Sequence, residues 1–254
     1  MIKMLRGLFY EPHFCIKIMI LFIAGFSLIS CSSTFFLRNA GVLDERVNLQ
    51  EIDYKGKKVV FLGIRHIGTK SYYLNIKTAI DSLKKEEYLF LLEGLNKDGS
   101  KEDSIVFYDK KMRKILGVGV SSKYIDTLNY KILGKISYSP ELNLTDQPSY
   151  EKLGIKNTYI VSDTNSKILV KEFEKKYGEI LLDKCDLETE IAQIYTCNTL
   201  SRKQRKYFVE DFVQDFRNRI VVDDIDSVSG TKICVIYGER HIEKIKNILK
   251  QNSK

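Results

Sequence analysis

Two short phrases in this 254-residue chain place histidine in the same context. "GIRH" runs from Gly63 to His66, and "GERH" runs from Gly238 to His241. The chain contains three histidines, and the third, His13, lies in an N-terminal segment that we expect to be removed. Imidazole is both a general base near neutral pH and a common metal ligand, so the duplication predicts a shared chemical role.

Each phrase closes a run of apolar residues that is typical of a strand buried on both faces. These runs are "KKVVFLG", which begins at Lys57, and "TKICVIYG", which begins at Thr231. Two similar runs end in acids: "YLFLLEG" carries Glu93, and "NTYIVSD" ends in Asp163. Side chains beyond the carboxyl ends of parallel strands meet in one crevice. We therefore expect both histidines and Glu93 to share a site, with Asp163 nearby.

The glycines of the two phrases, Gly63 and Gly238, are predicted to be structural. A glycine at a strand end permits a tight turn or the close approach of another backbone. We expect these two positions to end their strands and to direct the histidines toward the crevice.

The order of the elements predicts the fold class. Residues 72–86 have helical spacing between the first two apolar runs, which indicates a βαβ unit. "SIVFYDKKMRKILG" and "SSKYIDTL" are predicted to be helical, residues 138–154 to form a loop, and residues 167–225 to be mainly helical. The sequence predicts an α/β fold with one domain at residues 51–254, a central β-sheet, βαβ units at both ends of the chain and a largely helical middle.

Arg217 is the most plausible cation for the site. The clearest helical pattern is a broad buried stripe of Phe208, Phe212, Phe216 and Ile220, with Val209 and Val213 beside them. Arg217 lies one position off this stripe, either facing the crevice or forming a surface ion pair. Considered alone, Glu93 could equally be a solvated carboxylate, and each histidine could be a structural hydrogen-bonding group. The repetition of the Gly-x-Arg-His phrase favours a functional role for the histidines.

The N-terminus has the pattern of an export signal. Basic residues precede an apolar run at residues 18–29, which is short for a transmembrane helix but suits a signal-peptide core. "LISC", ending at Cys31, resembles the lipobox of bacterial lipoproteins. We expect residues 1–30 to be a signal peptide, Cys31 to carry the lipid, including palmitate, and residues 31–50 to be a tether. The alternative is an uncleaved anchor.

The distribution of charge bears on the partners of the protein. The formal net charge is +8, but the charges of both signs are interspersed, which does not favour nucleic acid as a partner. The expected location is a bacterial membrane, lipid-anchored and facing the periplasm or the outside.

The cysteines Cys185, Cys197 and Cys234 form no disulfide framework or zinc spacing. We expect Cys185 and Cys197 to be buried small residues, although they could pair, and Cys234 to be buried in a strand.

The whole constellation resembles the Tiki/TraB/PrgY/GumN superfamily, which is related to the erythromycin esterases and the haem-binding ChaN lipoproteins. The resemblance covers Lys57 to Lys250 and rests on the two GxxH phrases, Glu93 in "LLEG", the Arg217-Asn218 pair and the strand "TYIVSD". It departs from the family in having Phe216 before the arginine and Arg65 before the first histidine.

The resemblance implies a hydrolase that cleaves an amide or ester bond in a peptide or small molecule. On the protease-like branch, His66, Glu93 and His241 would hold a divalent metal such as manganese, cobalt or zinc. On the esterase-like branch, a histidine oriented by Glu93 would deprotonate water and Arg217 would stabilise the oxyanion.

The site residues also suggest which groups contact the substrate and which other functions are possible. Arg217, Asn218 and Asp163 are expected to contact the substrate. A non-catalytic lipoprotein that binds a peptide or haem is the rival function, with haem the less favoured ligand. A lipoprotein that keeps the fold without its chemistry is the third alternative.

Overall fold

The computed structural model describes residues 33–94, 102–117, 124–157, 159–191, 193 and 195–253. The predicted signal peptide, residues 1–30, and the predicted lipidation site, Cys31, lie outside the described residues. Within the described ranges, none of the helices combines the length and the apolar character needed to cross a membrane.

A five-stranded sheet forms the centre of the molecule. Its strands are β1 (Leu49–Tyr54), β2 (Lys57–Ile64), β4 (Leu89–Leu92), β9 (Tyr159–Val161) and β10 (Lys232–Gly238). Their spatial order is β1-β2-β10-β4-β9. β1 pairs antiparallel with β2, and every other pairing in this sheet is parallel. The four apolar runs of the sequence are therefore neighbouring parallel strands.

Helices cover both faces of the sheet, which explains why the central strands are apolar on both sides. One face packs against α1 (Lys70–Lys85), through Tyr72, Ile76 and Ile80. The other face packs against α6 (Arg217–Ser227) and α7 (Glu239–Asn252). The central strands lie between two apolar clusters.

The connections confirm the predicted α/β class. The unit β2-α1-β4 is a parallel crossover, and β10 lies between its two strands. The helices α2 (Glu102–Leu116), α3 (Ser166–Tyr177), α4 (Lys184–Glu188) and α5 (Arg202–Tyr207) make up much of the middle of the chain. Their apolar side chains form a third cluster, which includes Phe173 and Phe208.

The prediction of a helix at "SSKYIDTL" is wrong for its described part. Residues 125–137 form a small antiparallel sheet of β5 (Ile125–Asp126), β6 (Lys131–Ile132) and β7 (Ile136–Ser137). The predicted loop at residues 138–154 contains a short strand, β8 (Leu144–Asp146), which pairs with β3 (Ile67–Thr69). Tertiary pairing overrides the local helical spacing here.

The predicted tether packs against the domain in its described part. Residues 33–39 are helical, and Leu37 is buried in a fourth apolar cluster with Ile125, Ile132 and Tyr138. The neighbouring Phe35 and Phe36 remain 64% and 55% exposed.

The expectation that Cys185 and Cys197 are buried small residues is wrong. They form a disulfide with a Cα–Cα distance of 5.9 Å, and Cys185 is exposed. Cys234 is fully buried in β10, as predicted.

Candidate active site

The two histidine phrases follow strands that lie side by side. β2 and β10 are parallel neighbours, and their register places Tyr237 opposite Gly63 and Gly238 opposite Ile64. Glu93 follows β4, the strand on the other side of β10. The expected convergence of strand ends is therefore present in the fold.

The two phrases nevertheless adopt different local structures. His66 lies in the connection between β2 and β3 and is exposed. Gly238 is the last residue of β10 and the N-cap of α7, so His241 lies in the first turn of that helix and is buried. Similar sequence thus gives one surface histidine and one interior histidine.

The two glycines lie where a side chain would crowd its neighbours. A Cβ atom on Gly63 would lie 2.8 Å from Cγ of Glu239, at the start of α7. A Cβ atom on Gly238 would lie 3.2 Å from Oε2 of Glu93. Gly63 is inside β2 rather than at its end, so its role is close approach instead of a turn.

An ion network lies at the end of the sheet. Arg217 donates from Nε to Oδ1 of Asp163 at 2.7 Å and from Nη2 to Oδ2 of Asp163 at 2.6 Å. The same Nη2 donates to Oε1 of Glu93 at 2.8 Å. The backbone N–H of Gly238 donates to the other Glu93 oxygen, Oε2, at 2.5 Å. The surface ion pair considered for Arg217 is therefore a buried one, and Glu93 is not a solvated carboxylate.

The network favours the charged forms of Glu93 and Arg217. Burial by itself would raise the pKa of Glu93, but Arg217 and the Gly238 N–H outweigh it and lower that pKa. Burial acts to lower the pKa of Arg217, but the hydrogen-bonded Asp163 and the nearby Glu93 raise it overall. Two carboxylates around one guanidinium leave a local charge of −1.

A π-helical segment places Arg217 inside the fold. Residues Phe208–Phe216 form this segment, whose hydrogen bonds span five residues and so widen each turn. The predicted stripe is confirmed for Phe208 and Phe212, but Phe216 and Ile220 are only partly buried. Beyond the segment the buried face shifts to Arg217, Asn218, Val221, Val222 and Ile225.

Asn218 orients the buried histidine. Nδ1 of His241 lies 2.6 Å from Oδ1 of Asn218, which is fully buried. With the proton assigned to Nδ1, this nitrogen donates to the amide oxygen and Nε2 keeps its lone pair. Burial lowers the pKa of His241 despite the opposing charge of Glu93, so the neutral ring is favoured.

His66 is fixed by two groups that sequence reasoning missed. Its Nδ1 lies 3.2 Å from Oε1 of Gln147, and its ring stacks on Tyr124 with 5.4 Å between centroids. Gln147 also donates its backbone N–H to the carbonyl of His66 at 2.9 Å. Gln147 lies in the predicted loop at residues 138–154 and Tyr124 in a segment predicted to be helical, and neither pattern places its side chain beside His66.

His66, Glu93 and Arg217 line one cavity of about 590 Å³. Tyr124, Gln147 and Tyr150 also line it, and the Tyr150 hydroxyl donates to the Glu93 carbonyl at 2.7 Å. The described lining of this cavity does not include Asp163, Asn218 or His241. The chain thus places these three behind Arg217 and Glu93, whereas the sequence led us to expect Asp163 and Asn218 at the substrate.

The residues proposed as metal ligands do not fit a metal ion in this arrangement. Each carboxylate oxygen of Glu93 already accepts from a protein donor, and a permanent cation, Arg217, contacts one of them. In the described part of the chain, no group of three or more His, Cys, Asp or Glu side chains is arranged to hold a metal.

Comparison of the chain with protein-family models, with curated proteins and with solved structures finds no match in any of the three. Function is therefore inferred from the geometry of the site.

Proposed function

We propose that this protein hydrolyses an ester or amide bond, with His66 as the general base and Arg217 as the group that stabilises the developing oxyanion. The observation that carries the proposal is the shared cavity of His66, Glu93 and Arg217. A base, a fixed cation and a carboxylate around one cavity are the parts that hydrolysis requires.

His66 has the geometry of a base. If its Nδ1–H donates to Gln147, the Nε2 lone pair is available to take a proton from water. Stacking on Tyr124 restricts rotation of the ring. The attacking water would then lie between His66 and the substrate carbonyl, and His66 would return the proton to the leaving alcohol or amine as the C–O or C–N bond breaks.

Arg217 is suited to stabilise charge without reorganisation. The contacts with Asp163 and Glu93 use Nε–H and both hydrogens of Nη2, which leaves the two hydrogens of Nη1 from the five guanidinium donors. These donors would face an oxyanion from a fixed position, which is the arrangement that lowers a barrier most.

Glu93 and His241 act as positioning groups in this scheme. Glu93 holds Arg217 from one side and receives the Gly238 N–H on the other. The neutral His241 ring packs edge-on against Tyr237, with 5.2 Å between centroids, and completes the interior behind Glu93.

We further propose that the domain is held at a bacterial membrane by lipid on Cys31 and faces an oxidising compartment. Two observations support this. The exposed Phe35 and Phe36 follow Cys31 within five residues, and the disulfide between Cys185 and Cys197 is a type of bond that persists outside the cytoplasm.

The test is a turnover screen on the chain from Ser32 onward, which includes every described element of the fold. Chromogenic esters, anilides and a peptide library are incubated with the wild type and with His66→Asn. We expect hydrolysis of an ester or amide that His66→Asn loses while still binding the substrate. Binding of peptide, or a Soret band on haem titration, without any turnover would instead establish the binding function.

A further inference from the structure

The cavity has one strongly apolar wall that the proposed chemistry does not use. Met112 and Leu116 come from α2, Leu169 comes from α3, and Val209 and Val213 come from the π-helical segment. The members of each pair are four residues apart, so they lie on one face of their helix. Three separate elements thus contribute apolar side chains to the same wall.

This wall is more than the surface of the core. Leu116, Val209 and Val213 are only partly buried, although Phe208 and Phe212 of the same segment are packed inside. Partly exposed apolar side chains around a concave volume are typical of ligand pockets, and about 590 Å³ lies within the usual range.

The charges of the cavity indicate what it would accept. Among the described lining residues, the ionisable groups of the ion network are Glu93 and Arg217, and Arg217 is also bound by Asp163. The wall residues themselves offer no charged or polar side chain, so a charged group placed against them would lose its hydration without gaining a partner. A neutral apolar group next to the hydrolysed bond fits best.

We propose that the apolar wall is an acyl-binding subsite, so that the substrate is an ester or amide of a neutral aliphatic acid. This inference rests on the proposed hydrolase function and names its substrate class. The acyl chain lies along Leu116, Val209 and Val213, and its carbonyl carbon lies between His66 and Arg217.

Binding of non-hydrolysable probes tests the subsite separately from catalysis. Dansyl sulfonamides of ethyl-, butyl-, hexyl- and octylamine are titrated by fluorescence against the chain from Ser32 onward. We expect affinity to rise about fourfold for each methylene that is buried. Affinity that does not change with chain length would overturn the subsite.

Two variants locate the binding. Val213→Thr keeps the side-chain volume but adds a hydroxyl to the wall, and we expect it to weaken octyl binding by tenfold or more relative to ethyl binding. Ile168→Thr, on the exposed side of α3 next to Leu169, is the matched control and should leave both affinities unchanged. Equal loss in both variants would contradict the assignment, and the wild-type series decides the question if Val213→Thr fails to fold.

Hydrolysis of p-nitrophenyl acetate, butyrate and octanoate distinguishes the acyl-binding subsite from the hydrolase function. Graded binding without hydrolysis of any ester would support the subsite and overturn the hydrolase. Hydrolysis with a kcat/KM that does not depend on acyl length would support the hydrolase and overturn the subsite.

Discussion

Arg217 and Asp163 form a two-point ion pair in the interior, with Nε 2.7 Å from Oδ1 and Nη2 2.6 Å from Oδ2. The backbone N–H of Thr164, at 2.8 Å, and that of Gly94, at 2.9 Å, also donate to the Asp163 carboxylate. This pair joins the end of β9 to the start of α6, and it holds Arg217 against Glu93. The same contact therefore serves both the fold and the cavity.

Replacing Arg217 by methionine is expected to lower the free energy of unfolding by about 3–5 kcal/mol, because it leaves two buried carboxylates without their cation. Chemical denaturation monitored by circular dichroism measures the change. Arg219→Met is the matched control, since Arg219 is exposed two residues away and should change stability by no more than about 0.5 kcal/mol.

Adding Asp163→Asn to Arg217→Met is expected to recover part of that loss, because it removes one of the unpaired charges and keeps an amide oxygen that can accept from the backbone N–H of Thr164 or Gly94. If Arg217→Met costs no more than Arg219→Met, the buried network does not stabilise the fold as described.

Acidification should destabilise the protein through His241. The folded protein favours the neutral ring, with a pKa below the ordinary value of 6.5, whereas the unfolded chain takes up a proton below that pH. The stability that this residue contributes is therefore complete above about pH 6.5 and is lost as the pH falls toward the lowered folded pKa. The slope from one proton is at most about 1.4 kcal/mol per pH unit.

Unfolding free energies between about pH 5 and 7 test this dependence, because ordinary carboxyl groups titrate mostly below that range. His241→Asn should flatten the profile, and Arg240→Gln, an exposed neighbour, should leave it unchanged. His66 and His241 can also be titrated directly by NMR. A His241 pKa at or above 6.5 would show that burial does not govern this residue.

Reduction of the disulfide between Cys185 and Cys197 is expected to cost about 3 kcal/mol, the value for closing a loop of this size. The loop contributes three backbone carbonyls to the buried Arg113 of α2, from Asp186, Thr189 and Glu190. Thermal unfolding with and without reductant measures the loss. The Cys185→Ser/Cys197→Ser variant should not respond to reductant, and a wild type that is equally insensitive would contradict the bond.

The metal hypothesis has its own test in Arg217. Because Arg217 is hydrogen-bonded to the Glu93 carboxylate, we expect the wild type to hold no stoichiometric manganese, cobalt or zinc after incubation. The Arg217→Met variant should bind these metal ions more tightly than the wild type. Elemental analysis of dialysed protein measures both. Near-stoichiometric metal in the wild type that is lost in His66→Ala/His241→Ala would instead establish the metal site.

The parts of the fold that were predictable depend on local pattern. The apolar runs around Val60, Leu91 and Val235 are strands because their burial on both faces is encoded in consecutive residues. The sequence left two alternatives for Arg217, the crevice or the surface, and the π-helical segment that decides between them is selected by tertiary packing over the α-helix. The two GxRH phrases show the same limit, because only Gly238 caps a helix and so buries its histidine.

The residues of the site also differ in how well the sequence predicts them. Glu93 and both histidines follow strands whose ends meet, which sequence reasoning anticipated, but only His66 and Glu93 line the cavity and His241 lies behind them. Gln147, Tyr124 and Tyr150 reach the cavity from irregular segments, where long-range contacts alone decide the position. The disulfide was equally beyond prediction, because spacing does not determine whether two cysteines pair.

The most direct measurement of the central claim is kcat/KM of His66→Asn on the best ester or amide substrate, compared with Lys70→Asn. Lys70 is an exposed residue four positions away, at the start of α1, and serves as the control. With equal folded fractions, removal of the general base should lower kcat/KM by about 10²–10⁴-fold, and the control should stay near the wild type. A His66→Asn variant that hydrolyses the substrate as fast as Lys70→Asn would contradict the assignment of His66 as the base.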